Sequence, residues 1–321
     1  MASHPKIIYG TAGIAAFSPE TRQEFEDILV KHNVKDLDTA YIYTNSEVTL
    51  KEAGWSKKFI LHTKAPGFVP GSLAKQSVLD GAKKSLGDLG EDSVETYFLH
   101  SPDPTTPIEE TLSAIQEIYA AGKFKRFGLS NFKAADVQKI YDIQKAAGSV
   151  LPSVFQGNYN AVSRHIETDL FPVLRKLDIS FFAYSPIAGG FLVKTAASLR
   201  EGNDTGRFAA NSPIGGLYNK LYCKDSLYEA LDEWATIADS LKISKAALAY
   251  RWVTYNSALK VEHGDAVIVG ASKPAQLEES LKAIEDGPLD QATVDKIEAL
   301  WKKVEKDAPL DNYHSFAHGQ N

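Results

Sequence analysis

The segment Thr96–Asn131, TYFLHSPDPTTPIEETLSAIQEIYAAGKFKRFGLSN, holds a complete strand–helix–strand pattern. Its two ends, Thr96–His100 and Phe127–Ser130, are short apolar runs of the kind that form strands buried on both faces. The helix between them carries its own punctuation. Thr106 reads as the N-cap, Pro107 as the first helical residue and Glu109 as the third, a capping box. Ile108, Leu112, Ile115 and Tyr119 then recur every three or four residues, and Gly122 stands where a C-cap belongs. Two such strands joined by a helix imply a parallel pair with a helical crossover.

The alternation continues in both directions. Ile7–Tyr9, Lys35–Asp38 and Phe59–Thr63 precede the quoted pair, and Val154–Tyr159, Ser180–Tyr184 and Ala266–Val269 follow it. Ser18-Pro19 opens a helix before Phe25 and Ile28. Asp225–Leu241 carries Leu227, Leu231, Trp234, Ile237 and Leu241 on one stripe, and Ser244 starts another helix with Leu248 and Trp252. Eight strand–helix units favour a closed (β/α)8 barrel, the TIM-barrel class of α/β fold, over an open doubly wound sheet. No Pro/Gly/Ser linker divides the chain, so one domain is expected over residues 1–321. A long loop is expected at about 190–224, with Leu199–Gly216 irregular, and a tail at about 308–321; loops of that length in a compact domain are more often functional than accidental.

Composition narrows the partners. A net charge of −6, with no basic run, suits a soluble protein and offers little to a phosphate backbone, so no nucleic-acid partner is expected. The single cysteine, Cys223, excludes an internal disulfide and a thiolate metal cage, and no metal site is expected. The N-terminus lacks a signal-peptide core, and no run approaches a membrane span, so a cytoplasmic location away from membranes is expected. The sequon Asn203-Asp204-Thr205 then carries no meaning. A homodimer is compatible with the sequence, which does not fix an oligomeric state.

The strand ends carry the chemistry, because barrels of this class place it at the C-terminal ends of their strands. Asp38, Lys64, His100, Ser130, Asn131, Gln156 and Tyr184 all fall at or near such ends, as does Gly270-Ala271-Ser272, and Tyr43 lies five residues past Asp38. A phenol titrates near ~10, and a neighbouring ammonium lowers that value. Asp38 would keep Lys64 protonated, and the three residues would form a tuned proton donor. His100 would orient a substrate oxygen. Singly, each has an ordinary structural role to play, as a cap, a rim charge or a core histidine. Together they suit protonation of an oxygen whose carbon receives hydride.

In order along the chain, Asp38-Thr39-Ala40-Tyr41-Ile42-Tyr43, Thr63-Lys64, Tyr97-Phe98-Leu99-His100, Gly128-Leu129-Ser130-Asn131-Phe132, Phe155-Gln156-Gly157-Asn158-Tyr159-Asn160, Ala183-Tyr184-Ser185-Pro186-Ile187 and Val269-Gly270-Ala271-Ser272 resemble the elements of the aldo-keto reductase family. The resemblance implies NADPH-dependent reduction of aldehydes or ketones, with Tyr43 as general acid and Asp38, Lys64 and His100 completing a tetrad. It implies that Ser130, Asn131 and Gln156 hold the nicotinamide carboxamide and that Tyr184 stacks on its ring. Ser185, Pro186, Ile187, Ala188 and Gly189 would run beside the pyrophosphate. Gly270, Ser272, Gln276 and Ser280 belong to the element that meets the adenosine 2′-phosphate, at a helix N-terminus suited to it. Ala188-Gly189-Gly190-Phe191-Leu192 and Gly206-Arg207-Phe208 are similar to the aflatoxin-aldehyde reductase branch, where Arg207 would clamp cofactor phosphate. Thr44 stands where the family commonly has Gly, Gln276 where Arg is usual, and Ser280 where Asn is common. Phe68, Tyr159 and Tyr218 are candidates for the substrate wall.

Two other functions compete. Potassium-channel β-subunits resemble the same family and keep the tetrad, so a binding protein that holds NADPH is the alternative; no N-terminal inactivating extension is evident. A barrel hydrolase needs paired carboxylates, and only Asp38 stands at a strand end. No Gly-x-Gly-x-x-Gly motif follows a strand, which argues against a Rossmann dehydrogenase.

Overall fold

Eight parallel strands hydrogen-bond in chain order, and the eighth pairs back onto the first to close a barrel. The computed structural model describes residues 4–202, 205–209, 211–212 and 214–317. The strands are β1 (Lys6–Gly10), β2 (Asp36–Asp38), β3 (Ile60–Lys64), β4 (Val94–Leu99), β5 (Phe124–Ser130), β6 (Pro152–Asn158), β7 (Ser180–Tyr184) and β8 (Ala266–Val269). Each expected run is a strand, with ends displaced by a few residues at most. Helices α1 (Pro19–Lys31), α2 (Ser46–Glu52), α3 (Lys75–Leu89), α4 (Ile108–Ala120), α5 (Ala134–Ala146) and α6 (Ile166–Lys176) follow the first six strands in turn. The connection after β7 carries α7 (Ala196–Arg200), α8 (Gly215–Tyr222), α9 (Asp225–Ser240) and α10 (Lys245–Arg251). After β8 come α11 (Pro274–Glu285), α12 (Gln291–Val304) and α13 (His314–Ala317).

The helix starts show which local signals prevailed. Ser18 Oγ accepts from Thr21 N at 3.2 Å and Ser244 Oγ from Ala247 N at 3.1 Å, both ordinary N-caps. The capping box at Thr106 does not form. Helix α4 begins at Ile108, and the Thr106 hydroxyl donates to Asp103 Oδ2 at 2.8 Å. Asp103 also accepts from Leu73 N and from the Thr105 N–H and hydroxyl. A nearby carboxylate has outcompeted the helix terminus for the threonine.

Strand residues alternate between the helical layer and the lumen. Ile8, Phe98, Val154, Phe182, Ala266 and Ile268 form an inner cluster of their own across the barrel. Gly128 makes room for it, since a Cβ there would lie 2.2 Å from the Phe98 ring. Thr96, Arg126 and Ser180 stand two residues before this layer on β4, β5 and β7, and His100, Ser130, Gln156 and Tyr184 stand two residues after it. On β2 and β3, which add nothing to the cluster, Asp36 and His62 join the first level and Asp38 and Lys64, two residues on, the second. The helices bury their apolar stripes outside the strands, as with Leu112 and Ile115 of α4 and Leu231 and Trp234 of α9. Each such side chain contributes about 1.5–3 kcal/mol.

Leu199–Gly216, expected to be irregular, contains the end of α7, a single 3-10 turn at Gly206–Phe208 and the start of α8. Phe208 and Tyr218 are buried, so the loop has an apolar interior that ties it down. Asn203 and Asp204 of the sequon lie outside the described residues. Tyr159 is a core residue, not a pocket wall. Its ring packs on Phe171, Phe181 and Trp252, and its hydroxyl donates to Glu167 at 2.6 Å. Among the described residues no helix is long and apolar enough to cross a membrane, and no cluster of His, Cys, Asp or Glu is placed to hold a metal ion.

Candidate active site

Asp38, Lys64 and His100 converge at one mouth of the barrel because they end β2 and β3 and follow β4. Lys64 is fully buried, and its Nζ donates to Asp38 Oδ2 and to the Thr39 carbonyl, each at 2.7 Å. Tyr43 sits on a tight turn closed by Tyr43 N→Ala40 O and Ser46 N→Tyr43 O, both 2.9 Å. That turn is pinned by hydroxyls the sequence reading passed over. Thr11 donates to the Asp38 carbonyl at 2.9 Å, and the Thr39 hydroxyl donates to Ser46 Oγ at 3.0 Å. The result places the Lys64 ammonium 5.1 Å from the centre of the Tyr43 ring. The His100 ring stands edge-on to Tyr43 with centroids 5.9 Å apart.

The electrostatics follow from burial and from these neighbours. Burial works against charge on Lys64, but Asp38 and Tyr43 outweigh it and its pKa stands above the usual lysine value. Burial, helped by the Lys64 ammonium, pushes His100 well below the usual histidine value, so its imidazole is neutral at neutral pH. Tyr43 overturns an expectation. Lys64 does pull its pKa down, yet burial is the larger influence and the net shift is upward. The phenol is therefore fully protonated at neutral pH.

The neighbouring residues are already partly engaged with one another. Gln156 Nε2 donates to Asp38 Oδ1 at 2.7 Å. Asn131, in the left-handed region at φ 63°, donates to the His100 carbonyl at 2.9 Å and to Ser130 Oγ at 3.1 Å. The Tyr184 hydroxyl donates to Asn131 Oδ1 at 2.7 Å. Past Tyr184 and Pro186 the chain curls. Ser185, Ala188, Gly189 and Gly190 all have positive φ, and the Ala188 and Gly190 amides donate back to the Ser185 and Ile187 carbonyls at 2.8 and 3.0 Å, which holds the curl. The Tyr218 ring lies directly on this segment, 2.0 Å from where a Cβ on Gly189 would stand. Arg207 hydrogen-bonds the Tyr218 hydroxyl and stacks over its ring. It is solvent-accessible yet near enough to Tyr43 to lower that phenol's pKa.

At the last element, Gly270 and Ser272 are exposed beside the N-terminus of α11, and both the Ser272 amide and its hydroxyl donate to Gln276 Oε1. Lys273, which the sequence reading left aside, occupies the N-cap position. Ser280 differs from its neighbours. It is buried one turn beyond Gln276, and its hydroxyl donates to the Gln276 carbonyl at 2.7 Å. The α11 N-terminus with Lys273 at its cap, and Arg207 beside the curled segment, supply positive charge that fits a dinucleotide bearing several phosphates.

Comparison with known proteins gives the family. The family model described as the aldo/keto reductase family matches residues 6–302. The chain is 41% identical to the oxidoreductase sirO of Leptosphaeria maculans over 95% of its own length and 96% of that protein. It is 37% identical to aflatoxin B1 aldehyde reductase member 2 of Homo sapiens, over 85% of this chain and 80% of that one. It is 36% identical to human aldo-keto reductase family 7 member A3, over 85% and 86%. These names are those of reductases and do not favour the channel-subunit alternative.

Proposed function

The chain belongs to the aldo/keto reductase family, and from that premise we propose that it reduces aldehydes or ketones to alcohols with NADPH, using Tyr43 as the proton donor. The observation that carries this reading is the buried Lys64–Asp38 pair set beneath a protonated Tyr43, with a neutral His100 edge-on to it. The chemistry the nicotinamide supplies when bound is a hydride for the carbonyl carbon. Tyr43 gives its phenolic proton to the carbonyl oxygen. The Lys64 ammonium stabilises the phenolate left behind, and Asp38 holds that ammonium in place. His100, being neutral, has an N–H with which to orient the same oxygen. Atoms balance: the carbonyl gains hydride at carbon and a proton at oxygen, and solvent restores the proton to Tyr43.

For the cofactor, Ser130, Asn131 and the free end of Gln156 bind the carboxamide. Tyr184 offers its ring to the nicotinamide. Ser185 to Gly189, with Arg207, meet the pyrophosphate. Ser272, Lys273 and Gln276 at the start of α11 favour a 2′-phosphate, and hence NADPH over NADH. A cytoplasmic setting suits a chain whose one cysteine makes no internal disulfide. The test is a fluorescence titration of NADPH against NADH, followed by steady-state reduction of an aldehyde panel by the wild type and by Tyr43→Phe. Binding of NADPH at least tenfold tighter than NADH is expected (about 1.4 kcal/mol). Carbonyl turnover that survives in Tyr43→Phe would remove the proposed acid.

A further inference from the structure

His100 is weakly held by its own side chain. Its Nδ1 is buried and has no hydrogen-bond partner among the described residues. An imidazole so placed must be oriented by what packs on it and by what fixes its backbone, and both lead to the same segment. We infer that the C-terminal tail, Asp311–His314, is a positioning element for His100, holding its backbone through Tyr184 and Asn131 and its ring through Phe68. The inference rests on the reading of His100 as the group that orients the substrate oxygen.

The first route is a hydrogen-bond relay. The Asn312 amide donates to the Tyr184 hydroxyl oxygen at 3.2 Å, Tyr184 donates to Asn131 Oδ1 at 2.7 Å, and Asn131 Nδ2 donates to the His100 carbonyl at 2.9 Å. The second route is a row of rings. Tyr313 packs on Phe68 with centroids 6.1 Å apart, Phe68 meets His100 edge-on at 5.0 Å, and His100 meets Tyr43 at 5.9 Å. Phe68 is held in the left-handed region at φ 67°, where its amide donates to Ser101 Oγ at 2.9 Å. A bulky residue in that conformation is strained, and such strain persists where the surroundings over-determine it, most often at functional sites. The tail is itself stiffened. Asp311 accepts from the amides of Tyr313 and His314 and bonds His314 Nδ1 at 2.7 Å, and Ser315 Oγ accepts from the Leu310 amide at 2.9 Å. It is thus built to bear on the mouth as a unit.

Two variants cut one route each. Tyr184→Phe keeps the ring and loses the relay, and Tyr313→Ala keeps the relay and opens the ring row. Each is expected to lower kcat by roughly tenfold, a fraction of the cost of misplacing a reacting group by 1 Å. KM and the affinity for NADPH should change less than kcat. The pH dependence gives a readout that a merely structural role would not move. Among the described residues the titratable groups that face His100 are Lys64 on β3, paired with Asp38, and Tyr43 in the loop after β2; beyond Phe68 stands Tyr313, with Asp103 and Asp311 near it. Opening the ring row admits water and returns the His100 pKa toward its ordinary ~6.5, so Tyr313→Ala should gain an acid limb in kcat that the wild type lacks. Tyr313→Phe should rescue both effects. The same return is read without turnover by NMR titration of the His100 ring, so failure of the reductase reading shows in wild-type inactivity and failure of the tail reading in an unmoved titration. Variants with wild-type kcat and an unchanged His100 titration, or a Tyr313→Phe as impaired as Tyr313→Ala, would overturn the inference.

Discussion

The barrel has a polar layer at each end of its lumen, built from similar residues of the same strands: Asp36 and His62 at one end lie two positions before Asp38 and Lys64 at the other, and Thr96 lies four before His100. At the closed end, His62 Nε2 meets Asp36 Oδ1 and His62 Nδ1 meets Thr96 Oγ1, both at 2.9 Å. Lys6 adds its ammonium to Asp36, and Arg126 donates to the Ser153 carbonyl and Ser180 Oγ. At the open end stand Asp38, Lys64, Tyr43 and His100. Both layers pair a carboxylate with a base and a histidine. The difference is saturation: both nitrogens of His62 are bonded, whereas among the described residues the buried Nδ1 of His100 has no partner. A polar layer whose partners are all internal stabilises the barrel, and one with a vacancy beside a protonated phenol is equipped for chemistry.

The sharpest way to break the comparison is at the open end. Tyr43→Phe should cut carbonyl turnover by about 10²–10⁴-fold while NADPH binding persists, measured by steady-state kinetics and fluorescence titration. A paired exchange tests the two histidines directly. His62→Ala should lose about 2–4 kcal/mol of stability in urea unfolding, because it strands buried Asp36 and Thr96, and leave kcat near wild type. His100→Ala should do the reverse. If His62→Ala lost activity while remaining folded, the assignment of roles to the two ends would fail. Between the layers, Gly128→Ala should cost about 1–3 kcal/mol in the same assay, through overpacking against Phe98.

The smallest expected effect is the acid dependence of the closed end. Burial tends to raise the Asp36 pKa, but His62 and Lys6 outweigh it and leave it below the ordinary value. A depressed carboxyl stabilises the fold above its unfolded pKa, near ~3.9, and that contribution is lost as the pH falls through the lower, folded value. Asp36→Asn should therefore flatten the acid limb of a Tm-against-pH curve. A Tm profile identical to wild type below neutrality would remove the charge from the account of this layer.

Much of this was legible in the sequence. Runs such as Ser180–Tyr184 and Ala266–Val269 are strands to the residue, because buried parallel strands need continuous apolar stretches and their ends are set by polar residues. The convergence of Asp38, Lys64 and His100 followed from their places at strand ends. Other features depend on distant neighbours and had no local signal. Thr106 looked like a cap, and Asp103 took its hydroxyl. Tyr43 was expected to have a lowered pKa from Lys64, but the depth of its burial is a property of the assembled mouth. The bond from Gln156 Nε2 to Asp38 Oδ1 joins β6 to β2 across 118 residues of chain. The contact of Asn312 with Tyr184 uses a backbone N–H, which any residue but proline supplies, so residue identity could not announce it.

The alternation along the strands also governs where this chain tolerates changes of length. Lys6, Ile8, Asp36, Asp38, His62, Lys64, Thr96, Phe98, His100, Gly128, Gln156, Phe182 and Ile268 all carry even numbers. One added residue inside β3 would turn Lys64 out toward the helices and bring an odd-numbered neighbour into the lumen, losing packing and proton transfer in a single step. Insertions and deletions are thereby confined to the connections, which leaves the loops around the mouth open to lengthen, shorten and diversify while the count inside the strands stays fixed.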